Sequence, residues 1–173
     1  MYGPGVMPYQ PDGVWQSVWS DARWVNSEGE DKYRRAVYVF QKRTSPYPSM
    51  MTFDGSSRDV CVVRRIRTNT PLQSLVTMND PVFMEAARAL ATRMKATGSR
   101  YVDQIQAGYR YIHYKEMSDK KLAALEKLYQ ESLSRYQSNE ALRTTLVGDA
   151  KPEDAALTLV ASALLNLDES LTK

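Results

Sequence analysis

The side chains best suited to chemistry gather in one stretch: Arg58, Arg64, Arg65 and Arg67, preceded by Lys42 and Arg43 and accompanied by Asp54, Asp59 and Asn69. Guanidinium forks bind sulfate, phosphate or carboxylate through paired N–H donors, so Arg58, Arg64, Arg65, Arg67 and Asn69 form a candidate anion- or ligand-binding set. The same arginines have a structural alternative. Pairing with Asp54, Asp59, Asp168 and Glu169 would pin a segment poor in apolar residues and satisfy its polar backbone. Two carboxylates are the minimum for acid and base roles in glycoside chemistry, which makes Asp54, with Asp59 near it, the candidate for a catalytic residue. Asp80 is most simply a helix N-cap, with Asn79 closing the helix before it.

Other chemistry is thinly provided. His113 is the one side chain whose ordinary titration lies near neutrality, and it stands at an expected helix end among Tyr109, Tyr111 and Tyr114, where a C-terminal cap explains it. Trp15, Trp19 and Trp24 offer aromatic contact, either to sugar rings or a neighbouring domain, or to the chain's own body, where each ring buries a large apolar area. Cys61 sits in a Val-Cys-Val context typical of an inert packed thiol. A lone cysteine and a lone histidine leave too few soft ligands for a zinc site or a covalent haem, so no metal and no cofactor is expected on this chain.

These residues need a scaffold, and 173 residues with 43% hydrophobic side chains suffice for one core. The charged fraction of 25% and mean hydropathy of -0.49 are those of a soluble globular chain. The longest charge-free apolar run, 155–167, is too short to span a membrane and reads as a buried helix. Met1-Tyr-Gly-Pro-Gly is no signal peptide; an export signal would lie upstream. Charge is uneven: residues 31–67 hold nine Lys or Arg against three Asp, about +6 net, while the remainder sums to about -3.

The spacing predicts an all-α protein, an irregular bundle of six to seven helices carrying an aromatic, Pro-rich N-terminal arm (1–30) on a single helical domain (31–173). Asp12 is placed to cap a short helix through Trp19. Tyr33, Ala36, Val37 and Phe40 recur at helical spacing, predicting an amphipathic helix over 31–42. Thr44 to Thr68 reads as a loop followed by an extended or irregular stretch. Thr70, Pro71 and Gln73 then spell a capping box, with Leu72, Leu75 and Val76 as the inner face. Asp80-Pro81 starts the next helix on Phe83, Ala87, Leu90 and Met94. Further helices are expected near 99–114, 119–137, 139–147 and from Pro152, the last apolar almost all round and therefore central. The hairpin at 70–96 is not read as a DNA-binding helix-turn-helix, because Pro81-Val82-Phe83-Met84-Glu85 offers a groove no donors.

The run Phe53-Asp54, Arg58 to Leu75 and Met78 to Phe83 resembles the signature of the family called domain of unknown function fifteen-fifty-three. The likeness extends to Pro8-Tyr9-Gln10-Pro11, Tyr33-Arg34-Arg35, Glu85-Ala86-Ala87-Arg88-Ala89-Leu90 and the ending Leu164 to Glu169. Two positions depart from that pattern: His113 to Met117 replaces an Arg and a Pro-containing turn, and Lys121 stands where an acidic residue is usual. The resemblance implies a module of a large exported (periplasmic or secreted) bacterial protein of planctomycete type, following a cytochrome-c-like or immunoglobulin-like segment. Its implied partners are upstream domains of the same polypeptide and a glycan or other anionic ligand, with no nucleic acid and no membrane span. One expectation is interdomain packing with an Arg-lined anion or glycan site. The alternative is part of an enzyme acting on complex polysaccharide, sulfated forms included, and it rests on analogy.

Overall fold

Thr70 accepts the Gln73 N–H through its hydroxyl (3.4 Å) while Gln73 Oε1 accepts the Thr70 N–H (3.0 Å), so the capping box forms as its four residues specify. This is the start of the helical part of a computed structural model that describes residues 3–11, 13, 14, 23–42, 45–56, 60–64 and 68–171. Contacts divide the chain into two compact units, Met1–Thr68 and Asn69–Lys173. The expected boundary at residue 30 falls inside the first unit, where Val6 and Val39 share one small core.

The first unit holds little regular structure. Gly29–Tyr33 and Ala36–Tyr38 form 3-10 turns, and α1 is the single turn Pro48–Thr52. The amphipathic helix expected over 31–42 is absent. Val37 and Val39 are β-branched and disfavour a helix, and the backbone finds another partner: Val6 N–H donates to Tyr38 C=O (2.9 Å) and Phe40 N–H to Val6 C=O (2.8 Å). Tyr33, Val37 and Phe40, the supposed inner stripe, are exposed, whereas Val6, Val39 and Tyr47 are buried. The helix expected to start at Asp12 lies outside the described residues.

The second unit is an all-α bundle: α2 (Pro71–Asn79), α3 (Pro81–Lys95), α4 (Tyr101–His113), α5 (Asp119–Ser138), α6 (Glu140–Val147), α7 (Pro152–Leu165) and α8 (Asp168–Leu171). Among the described residues the chain contains no β-sheet, only isolated bridges at Val6–Val39 and Lys42–Ser45. Asp80 caps α3 by accepting the Val82 N–H (2.8 Å), and Asn139 caps α6 by accepting the Leu142 N–H (3.1 Å). Gly148, at φ 66°, ends α6 in the left-handed region that glycine enters without strain.

Helix α7 occupies the centre. Ala156, Leu157, Val160, Ala161 and Leu164 are buried against Ala87, Leu90, Met94, Ile105, Tyr109, Leu125 and Tyr129. Gly108 of α4 lets that helix close on α3: a Cβ there would come within 2.6 Å of Met94 Sδ. The inner face of α2 differs from expectation. Leu72 and Leu75 are each 56% exposed, and the buried positions are Gln73 and Thr77. The capping box turns Gln73 inward, and Thr77, four residues on and therefore on the same face, donates to Asn166 Oδ1 (2.7 Å) at the end of α7.

The central position of α7 makes its large residues costly to truncate. Leu164→Ala should lower unfolding stability by about 2–5 kcal/mol in urea titrations, as cavity-forming core changes do; a loss under about 1 kcal/mol would contradict the central placement.

Candidate functional site

In the first unit, Asp54 follows α1 and adopts φ 57°, a conformation that aspartate tolerates better than most residues. Its two oxygens accept the Thr68 N–H (2.7 Å) and the Thr68 hydroxyl (2.8 Å), tying together two points fourteen residues apart. Gly55 permits the tight turn, since a Cβ there would lie 2.5 Å from Met50 O. Asp54 is thus engaged as a brace at both oxygens. Arg64 is exposed and has no ion-pair partner among the described residues; Arg58, Arg65 and Arg67 lie outside them. Asn69, in the second unit, donates to Asp168 at the start of α8.

Trp24 stacks on Tyr47 (centroids 5.7 Å, planes 6° apart), and its indole N–H reaches Pro8 O (2.8 Å). That side chain anchors the first unit internally; Trp15 and Trp19 are outside the described residues. Arg34, from the basic segment, is likewise consumed at home, donating to Pro4 O (2.7 Å) and Asp31 (2.6 Å). Cys61 is exposed instead of packed, because the valines around it turn outward as well: Val60, Val62 and Val63 are 69%, 49% and 106% exposed.

The densest polar constellation lies in the second unit and was not legible beforehand. Glu169 of α8 accepts from Lys121 (2.6 Å), the Tyr109 hydroxyl (2.8 Å) and Lys115 (3.1 Å). The Lys121 hydrogen bond above all, with those of Tyr109 and Lys115, pulls the Glu169 carboxyl from 4.5 down to about 2, and both lysines are raised in return. Glu169 therefore pairs with two lysines and a tyrosine of its own unit. Lys121 makes the shortest of the three contacts.

Beside it, His113 ends α4 with its ring against Tyr109 (4.4 Å) and Nε2 3.2 Å from Ser170 Oγ. Ser170 already donates its proton to Leu164 O (2.7 Å), so its oxygen receives from the imidazole. Burial lowers the pKa of His113, which favours the neutral imidazole. A serine whose proton points away from the histidine is not an activated nucleophile. This constellation is a clamp that fastens α8 to α4 and α5. No group of three or more His, Cys, Asp or Glu suited to a metal ion occurs among the described residues, and no helix there is long and apolar enough to cross a membrane.

Residues 1–129 match the family described as PSD1, protein of unknown function (DUF1553). The chain belongs to that family. The matched residues take in the DUF1553 signature, α2 to α4 and the first half of α5, while the clamp's Glu169 lies beyond them. No curated protein and no solved structure matches the chain.

Because the folded pKa of Glu169 lies below its unfolded value, the clamp's stabilisation is present above about pH 4.5 and is lost as pH falls toward about 2. Glu169→Gln should remove that acid-dependent portion from a pH series of urea midpoints. At pH 7 it should cost about 1 kcal/mol, the scale of partly exposed ion pairs. An unchanged acid limb in the variant would contradict the clamp.

Proposed function

We propose that this DUF1553 chain is a docking module of an exported multidomain protein, attached to a neighbouring domain of the same polypeptide through Val60–Arg64 and the basic stretch around it. The carrying observation is the outward display of Val60, Val62 and Val63 together with Cys61 and Arg64. Each valine that such a partner covers contributes about 1.5 kcal/mol or more, so the segment gains from burial that its own unit does not supply. Residues 31–67 are strongly basic, and the complementary surface is apolar at its centre and acidic at its rim.

Arg64, with Arg58, Arg65 and Arg67 beside it in sequence, suits carboxylates or sulfates through bidentate donors. An anionic glycan is the free-ligand form of the same chemistry. Export rests on the family resemblance. A catalytic part in polysaccharide cleavage draws no support from Asp54, whose oxygens already serve Thr68.

Tryptic cleavage after Arg64 tests this reading. The site should be cut at least about tenfold more slowly in the longer polypeptide than in this chain alone, and Val62→Asp with Val63→Asp should restore fast cleavage. Equal rates in the two contexts would end the docking proposal, as would protection of the isolated chain by sulfated glycan equal to that in the longer polypeptide.

A further inference from the structure

A pocket of about 270 Å³ opens in the second unit between α3, α7 and the turn that joins α6 to α7. Its floor is apolar: Ala91 and Leu157 are 5% and 2% exposed, with Val147 and Ala150 as a wall. Arg88 and Lys95 stand on its rim two helical turns apart on α3, a rise of about 10 Å. Lys95 is neutralised by Asp154 (2.5 Å). Arg88 has no carboxylate partner among the described residues; its Nε instead donates to Leu146 O at the end of α6 (2.7 Å).

That bond fixes the guanidinium plane and leaves the two terminal nitrogens as a ready pair of donors. The hydroxyls nearby are spoken for: Thr92 donates to Arg88 O (3.0 Å) and Thr158 to Asp154 O (2.8 Å), so neither adds a free donor. The recognition chemistry is therefore one oriented, uncompensated guanidinium at the lip of a small apolar cavity. A volume just under the roughly 300–1,000 Å³ of drug-sized sites restricts the occupant to a small molecule.

We infer that this pocket binds a small monocarboxylate with a short aliphatic tail, its carboxylate bidentate on Arg88 and its tail on Ala91, Ala150 and Leu157. An inorganic oxyanion would satisfy Arg88 but leave the apolar floor uncovered. A neutral amide would cover the floor but forgo the charge-assisted pair. The inference is independent of the docking proposal, since every residue involved belongs to the second unit.

Titration of the full chain with sodium butyrate, followed through backbone amide NMR shifts, tests it. Saturable shifts are expected at Ala91, Ala150 and Leu157, with sulfate and butyramide at least about tenfold weaker. Arg88→Gln, a change at an exposed position, should weaken butyrate binding at least about tenfold, as loss of a hydrogen-bonded charge does. Ala150→Phe should fill the cavity and abolish the shifts. If that variant does not fold, Arg88→Gln decides alone. No saturable shift, sulfate binding as tight as butyrate, or unchanged affinity in Arg88→Gln would each overturn the assignment.

Discussion

The second unit is organised by a helix that is buried over most of its surface. In α7, Ala155 to Thr158, Val160 to Ser162 and Leu164 are all buried, so the helices packed along its length present apolar stripes to it. Helices α3 and α5 do so with Ala87, Leu90 and Met94 and with Leu125 and Tyr129, while α4 supplies Ile105 and Tyr109. Small residues on α7 allow close approach, and its two buried hydroxyl residues cause no penalty where their partners lie within the helix, as Thr158 shows by donating to Asp154 O. The central helix thus sets which face of each neighbour is hidden.

Polar ties then fix what the apolar core leaves free. Thr77 to Asn166 fastens α2 to the end of α7, Lys95 to Asp154 joins α3 to its start, and Glu169 holds the last turn of chain against α4 and α5. The lysines in these contacts are exposed, so their ion pairs each add little alone. Their value is positional: Leu146 O orients Arg88 because α6 is held at that place by its own caps and by α7. The first unit relies on a different economy, with a three-residue core and many single hydrogen bonds such as Tyr47 to Tyr9 O.

Membership of the DUF1553 family accounts for the signature but assigns no chemistry to it. The signature divides between two physical roles. Thr70, Pro71, Gln73, Asp80 and Pro81 are helix-start residues whose side chains act on their own backbone, and Asp54 with Thr68 is a brace. Arg64 and the valines before it are exposed and make no such contact among the described residues.

The sequence by itself determined the helices from Pro71 onward, because caps and apolar spacing act between residues three or four apart, and the local chain carries that information. It also marked α7 as central from its uniform apolarity. It misjudged the 31–42 segment, where a helical pattern of side chains competed with a backbone pairing to Val6 some thirty residues away. It misjudged α2, whose buried face was chosen by Asn166 and not by its leucines. The Glu169 clamp and the Arg88 pocket were decided by the tertiary structure alone. Their members lie roughly fifty to seventy residues apart on helices whose rotation about their axes is set by packing, and no spacing rule along the chain reports that rotation.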